Sequence, residues 1–413
     1  MEFDRRTLFG AAALPLVSAA LPPKVLAGDW EAIARQYVVT REVIQLEHGN
    51  WGMMPRPVLS AYHAMNERVN RETSFYARRT MVGDLETVRG KVASALGVQA
   101  DEIALTRNAT EAMKALILQY NRLKPTNSIL YADLDYDSMQ SSMDALAVRR
   151  RTRVIKIPLP EPATYQGVID AYALAFEDPG LRMVLVTHAS HRTGLILPVA
   201  EITEMAEARG IDVIVDAAHS VGQLDFKLPD LKAPFIGLNL HKWFGAPLGV
   251  GAIYIRKDRL DAIDPDPAED PKNFAITAKV HTGTPGYAAQ LTVPAALAFQ
   301  AAIGARRREV RLKALRDRWV QPLRALPQVQ IMTPDDPRMY GAITSFRLRG
   351  RTSHDDNVAL AKTLLEKHRI FSVHRDGLAS GSCVRITPAL ATRMEDLDAL
   401  VAAIRDLAGG SAA

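Results

Sequence analysis

The sequence predicts an α/β protein, with a large domain on a mostly parallel sheet and a smaller C-terminal α+β domain. Three observations carry the prediction. Between residues 102 and 255 short apolar runs alternate with helical segments, the pattern of parallel strands joined by crossover helices. The run Met183-Val-Leu-Val186 is apolar without interruption, as suits a buried strand. Beyond residue 295 the alternation gives way to a long charged helical segment, then to a strand of alternating character, Ala342-Ile-Thr-Ser-Phe-Arg-Leu348. A chain of 413 residues also exceeds what one ordinary core holds, so more than one structural unit is expected.

The elements follow in order. Residues 28–55 form an N-terminal segment with a glycine turn, Glu47-His-Gly-Asn-Trp-Gly-Met-Met-Pro55, that contributes to the site. Pro57 opens a helix running to about Glu72, since proline suits a first helical turn. Residues 84–96 are amphipathic and stop at Gly97, a C-cap residue. Strands are expected at 103–106, 128–132, 153–157, 182–187, 211–215, 235–239 and 249–255, with helices at 110–120, 136–147 and 199–209 between them. The large domain is placed at residues 56–294. One long helix, from Pro294 to about Leu326, then connects to the small domain, and the two together occupy residues 295–413. There helices are expected at 355–368 and 392–407, and a last strand at 383–387.

Bulk properties narrow the function. The net charge is only +5, and the clusters Arg149-Arg-Arg151 and Arg306-Arg-Arg308 have no interleaved aromatic residues, so nucleic-acid binding is not expected. The single cysteine, Cys383, permits no internal disulfide. Asp4-Arg-Arg-Thr-Leu-Phe9 precedes the alanine-rich Gly10-Ala-Ala-Ala-Leu-Pro-Leu-Val-Ser-Ala-Ala20. A twin arginine before a short, weakly apolar segment reads as a twin-arginine export signal over residues 1–27, with small residues for cleavage at Ala20 or Ala27. The segment is too short for a permanent membrane anchor. The expected location is therefore the periplasm, with the twin-arginine machinery as transport partner.

Two residues at strand ends carry the chemistry. Lys242 lies in Asn239-Leu-His-Lys-Trp-Phe-Gly-Ala-Pro-Leu-Gly-Val-Gly251, after an apolar run and before a Gly/Pro-rich turn. Asp216 ends another run, Ile211-Asp-Val-Ile-Val-Asp216. Alone, each has a commoner explanation, a solvated loop lysine or a helix-capping aspartate. At the carboxyl edge of a parallel sheet, where ligands bind, the two can face each other. They then form the pair that pyridoxal 5'-phosphate requires: a lysine that bonds its aldehyde carbon, and a carboxylate that keeps its pyridine nitrogen protonated.

The motifs His48-Gly-Asn-Trp-Gly52, Asn108-Ala-Thr-Glu-Ala112, Asp216-Ala-Ala-His-Ser-Val-Gly222 and His241-Lys-Trp243 occur in that order. They resemble the class V aminotransferase family of fold-type-I pyridoxal-phosphate enzymes, over about residues 40–405, and within it the isopenicillin N epimerase-like group. The resemblance implies a sheet of the seven-stranded type in the large domain. It implies that Ala109 and Thr110 hold the cofactor phosphate at a helix N-terminus, an anion site by nature. It implies that Tyr136 stacks on the ring, that His191 reaches its 3-oxygen, that His219 bonds the 3-oxygen or the phosphate, and that His241 lies near the phosphate. Thr284 would serve the phosphate of a neighbouring subunit, in a homodimer with shared sites. Arg385 would grip the α-carboxylate of a small amino-acid-like substrate, while Asn50 and Trp51 line the entrance. Lys242, once released, is the natural base, and Tyr136 or His191 a second acid. The sequence shows no metal-ligand motif.

Three details depart from the family pattern. His191 stands where relatives often carry Asn or Ser. Pro285 follows Thr284 where the epimerase-like pattern usually has Arg, which argues against the epimerase substrate. Cys383 lies on the expected strand of Arg385, whereas a desulfurase carries its persulfide cysteine on a mobile loop. The implied activity is therefore aminotransfer or epimerisation of an amino acid or of a secreted metabolite containing one, such as a siderophore or peptide. One exported branch of the family tailors the glutamyl side chain of the siderophore pyoverdine. A C–S or other β/γ-lyase is the alternative. A non-catalytic homologue that retains the cofactor is a second.

Overall fold

The computed structural model describes residues 30–409, so the expected export signal lies outside the described residues. A short helix, α1 (Trp30–Ala34), and strand β1 (Ile44–Gln45) precede two long helices, α2 (Arg56–Arg79) and α3 (Met81–Leu96). Pro57 sits in the first turn of α2, and Thr73, at φ 44° and ψ −131°, breaks the helix directly after the expected end at Glu72 before a second helical stretch runs to Arg79. The alternating region then follows: β2 (Ile103–Thr106), α4 (Ala109–Leu118), β3 (Ser128–Ala132), α5 (Asp137–Arg150), β4 (Arg153–Ile157), α6 (Tyr165–Ala175), β5 (Leu181–Thr187), α7 (Val199–Glu207), β6 (Asp212–Asp216), β7 (Phe235–Asn239) and β8 (Gly251–Ile255).

These seven strands form one sheet in the order β2-β8-β7-β6-β5-β3-β4. All run parallel except β8, which is antiparallel to both its neighbours. The link from β7 to β8 carries no helix, and a parallel return needs a crossover unit. Side chains alternate across the sheet and are buried on both sides. Val184, Val186, Val213, Val215, Ile236 and Leu238 join one core cluster. Met183, Leu185, Ile214, Phe235 and Ile253 join the other. Each such side chain contributes about 1.5–3 kcal/mol on leaving water. That is why these strands read as continuous apolar runs.

The expected single helix after the sheet is two helices, α8 (Tyr287–Ile303) and α9 (Ala305–Arg324), bent by 76°. Gly304 makes the break, with φ 87°, a backbone conformation that side chains with a Cβ disfavour. Pro294, taken as the helix start, lies inside α8. The bend has a packing reason. Apolar α8 lies against α2 and α3, while charged α9 turns to pack on the small domain. No single helix among the described residues is long and apolar enough to cross a membrane.

The small domain contains β9 (Val329–Ile331), β10 (Thr344–Leu348), α10 (His354–His368), β11 (Ile370–Phe371), β12 (Val373–Arg375), β13 (Cys383–Ile386) and α11 (Met394–Gly409). Its antiparallel sheet has the order β12-β13-β10-β9. Strands β9, β11 and β12 were not legible, since two or three residues show no period. The N-terminal segment belongs structurally to this half of the molecule. β1 pairs in parallel with β11, and Glu47 bridges to Thr387.

Candidate active site

A parallel sheet delivers the carboxyl ends of its strands to one edge. The registers Thr187↔Asp216 and Asp216↔Gly237 align the ends of β5, β6 and β7 there. Asp135 ties β3 to this edge by accepting from Thr187 N at 2.8 Å and Thr187 Oγ1 at 2.6 Å. At that edge lies a cavity of about 660 Å³. Asn50, Ala109, Thr110, Tyr136, His191, Asp216, His219, His241, Lys242 and Arg385 all line it, so most of the expected site residues share one space.

Lys242 lies in the turn after β7, half-buried. Loss of water pushes its ammonium down to about 8, although the Asp216 charge acts in the other direction. Its Nζ is 2.9 Å from His219 Nε2. Burial, and then the charge of Lys242, holds His219 well below its ordinary value, so the imidazole is neutral. Burial raises the Asp216 carboxyl, opposed by the Ala218 N–H, which donates to Oδ1 at 2.9 Å. Among the described residues no protein group takes Asp216 Oδ2.

Arg385, on β13, is 1% exposed. Its Nη1 donates to the His191 carbonyl at 2.7 Å, and its Nη2 pairs with Glu47. Arg375, on β12, also approaches Glu47 Oε1, at 3.8 Å. Burial first, and then the Arg385 charge, pushes the Arg375 guanidinium down to about 10. Two guanidiniums thus share one carboxylate, and the Nε of each is buried without a protein partner. His191 meets the Tyr136 ring edge-on, with centroids 5.0 Å apart. Burial, with Arg192 next, holds His191 well below its ordinary value.

At the other end of the cavity, α4 begins. Asn108 caps it by accepting from Glu111 N at 2.8 Å, and Asn239 Oδ1 accepts from Ala109 N at 2.8 Å. Ala109 therefore stands in the wall with its N–H already taken. Thr110 N–H and hydroxyl have no protein partner among the described residues, so Thr110 is the donor left for a phosphate. His241 Nδ1 donates to the Val250 carbonyl at 2.8 Å, which fixes that ring.

Two expected residues lie outside the wall. Trp51 is 52% exposed and is not part of the cavity wall, beside Asn50, which is. Its neighbour Gly52 donates to the His241 carbonyl at 2.9 Å. A Cβ on Gly52 would come within 1.7 Å of the Lys242 carbonyl oxygen, so only glycine fits there. Thr284 is exposed and also absent from the cavity wall. Cys383 is fully buried, with Sγ 3.8 Å from the Arg192 carbonyl, and burial pushes its thiol up to about 11.

Sequence reasoning missed Glu47, Arg192, Arg375 and Asn239. Arg192 is 2% exposed, pairs with Asp137, and donates to the Asp376 carbonyl. The available signal was position: Arg192 adjoins His191, and Arg375 sits in Val373-His-Arg-Asp-Gly377 before a glycine turn. Their partners come from distant segments, which no local spacing reveals.

The residues fit pyridoxal phosphate. His191 Nδ1 and His219 Nδ1 are buried polar atoms without protein partners. Asp216 Oδ2 and Thr110 offer the matching acceptor and donors at two ends of the same cavity. The depressed lysine gives a test. Bonding to the aldehyde needs the neutral amine, whose share rises with pH through the folded-state value. Reconstitution of cofactor-free protein should therefore accelerate with a midpoint near pH 8 rather than near that of a free lysine, 10.5. Stopped-flow absorbance checks this, and a midpoint above 10 would show that burial does not control Lys242.

Comparison with known proteins agrees with the geometry. The chain is 29% identical over 398 residues to isopenicillin N epimerase of Streptomyces clavuligerus, covering 92% of this chain and 99% of the epimerase. It is 25% identical over 283 residues to L-cysteine desulfhydrase of Arabidopsis thaliana, covering 62% of this chain and 60% of that one. The structure matches a variant of C-DES with glycine covalently linked to its PLP cofactor, with a TM-score of 0.78 and 23% identity. That match covers 90% of this chain and 98% of the other. The model of the family described as aminotransferase class-V matches residues 53–400, and with that span this chain belongs to the class V family, as an enzyme whose cofactor is pyridoxal phosphate.

Proposed function

We propose that the enzyme acts at the amino group or Cα of an amino acid, or of a secreted metabolite containing one, as an aminotransferase or epimerase. The observation that carries this reading is the unequal charge beside Lys242, where Arg375 and Arg385 face one carboxylate, Glu47. A substrate α-carboxylate supplies the missing negative charge, and guanidinium donors match its geometry. The similarity to isopenicillin N epimerase along the whole chain supports chemistry at Cα.

When bound, pyridoxal phosphate joins the substrate nitrogen and withdraws electrons from Cα. The protein's residues then divide the work. The arginine pair fixes the carboxylate. Asp216, ionised beside a cation, holds a proton on the ring nitrogen. The Lys242 amine, with its pKa pushed down to about 8, takes the Cα proton, and His219 at 2.9 Å positions it. Return of a proton to Cα from Tyr136 inverts the centre, since His191, held well below its ordinary value by burial and Arg192, is not poised as the acid. Transfer of the amino group to the cofactor, and from it to a second oxo acid, would instead leave a 2-oxo acid whose carbonyl oxygen comes from water.

Elimination of a sulfur substituent is the second reading, favoured by the similarity to L-cysteine desulfhydrase. A persulfide relay through Cys383 is disfavoured, because a buried thiol pushed up to about 11 is a poor nucleophile. A purely cofactor-retaining protein is excluded by turnover of any amine that Lys242→Ala abolishes.

A panel of amino acids and amine-bearing peptides or siderophores tests these readings. Aminotransfer yields a 2-oxo acid and an aminated acceptor. Epimerisation yields solvent deuterium at Cα with the amine retained, and the lyase releases sulfide. If no α-amino acid derivative turns over, the proposal fails. Arg375→Ala should raise KM roughly 10- to 100-fold with a smaller change in kcat, the worth of a charge-assisted hydrogen bond. An unchanged KM would remove Arg375 from substrate binding.

We infer further that the active unit is a homodimer in which Thr284 serves the partner's site. Mixing Lys242→Ala and Thr284→Asp chains should then restore part of the activity, since a hybrid dimer holds one intact site. No recovery on mixing would count against shared sites. The periplasmic location rests on Arg5 and Arg6. Replacing both with lysine should leave the enzyme in the cytoplasmic fraction, and unaltered export would exclude the twin-arginine route.

A further inference from the structure

We propose that His354, His374 and Asp376 form a binding site for a first-row divalent transition-metal ion of the zinc(II) type, at the rim of the active-site cavity. The three residues come from separate places: His354 opens α10, His374 lies on β12, and Asp376 follows that strand. Their donor atoms all lie within 4.8 Å of one another. His354 Nδ1 is 3.0 Å, and His374 Nε2 3.6 Å, from the same oxygen, Asp376 Oδ2. Two ligands each about 2.1 Å from one tetrahedral ion sit about 3.4 Å apart, so the observed spacing brackets what an ion needs. The two rings stand at 88°, with centroids 4.9 Å apart.

Asp376 is oriented without the histidines. Its Oδ1 accepts from Ser382 Oγ at 2.6 Å, and its backbone carbonyl accepts from Arg192. Outer partners of this kind aim metal ligands and fix which oxygen they present. Arg192 is itself matched by Asp137, which leaves the Asp376 charge to the histidine side. Two imidazoles and a carboxylate suit zinc(II) and its neighbours, and three protein ligands leave a coordination position open. His374 and Asp376 belong to the cavity wall, whereas His354 does not. The open position therefore lies at the cavity rim, where an oxygen or nitrogen of a substrate's distal part completes the coordination. The site does not depend on which reaction occurs at Lys242.

The test uses untagged holoenzyme, freed of metal with a chelator and then titrated with Zn²⁺ by calorimetry and with Co²⁺ by visible absorption. The expected result is one ion per chain and a cobalt spectrum of nitrogen and oxygen ligation. His354→Ala and His374→Ala should each weaken binding by at least about 100-fold, more than loss of an outer partner does. Cofactor absorbance and circular dichroism report whether each variant is folded. In the unmutated protein, Co²⁺ should broaden the ring signals of His354 and His374, which gives the answer without any variant. A hydrogen-bonded triad that takes no metal predicts no uptake. That result, equal binding by wild type and folded variants, or broadening at other histidines, would overturn the proposal.

Discussion

The site depends on the ion pair between Arg385 and Glu47. A guanidinium 1% exposed is costly to bury without a partner, and stripping one member from a buried pair costs about 3–5 kcal/mol. The pair also joins three parts of the molecule. Arg385 comes from the small-domain sheet, Glu47 from the N-terminal segment, and the His191 carbonyl that Arg385 also bonds comes from the large domain. Satisfying one buried cation therefore sets the relative position of both walls of the cavity. The antiparallel register Val373↔Arg385 then brings Arg375 to the same carboxylate.

Burial governs the remaining chemistry. The cavity holds Lys242, His191, His219 and Asp216 away from water, and each is shifted toward its neutral form. Such a site stores little charge of its own apart from the arginines. It suits a cofactor that brings a phosphate and a ring cation, because the Asp216 carboxyl awaits the ring nitrogen and the N-terminus of α4 awaits the phosphate. The glycine at 52 allows the N-terminal turn to lie directly on the Lys242 backbone, so the lysine is held from both sides.

Much of this was legible in the chain. The strands at 103–106, 128–132, 153–157 and 235–239 coincide with the observed ones; those at 128–132 and 235–239 are buried along their whole length, whereas 153–157, at the sheet edge, keeps Arg153 and Lys156 exposed. Lys242 and Asp216 were visible because the chemistry demands both residue types at strand ends. The break at Gly304 was not, since helical periodicity continues on either side of it and only packing decides the bend. Arg375 and Glu47 escaped for another reason. An isolated arginine and an isolated glutamate carry no pattern, and only the parallel pairing of β1 with β11 sets them side by side. The cluster of His354, His374 and Asp376 has no motif spacing either, because a helix start and a strand end supply it.

Glu47 and Arg385 are 338 residues apart along the chain, and β1 likewise pairs with β11 across most of its length. The entropy of closing so long a loop grows only logarithmically, so the cost in stability is modest. The effect on sequence of events is larger. During synthesis the segment around residue 47 emerges long before the strands that receive it, and it stays without a partner until the small domain has been made. The large sheet can assemble from neighbouring segments, whereas the carboxylate-binding corner belongs to the contacts of highest order in the fold. Catalytic competence is therefore acquired last, and a prematurely terminated chain can carry Lys242 without ever possessing a working enzyme.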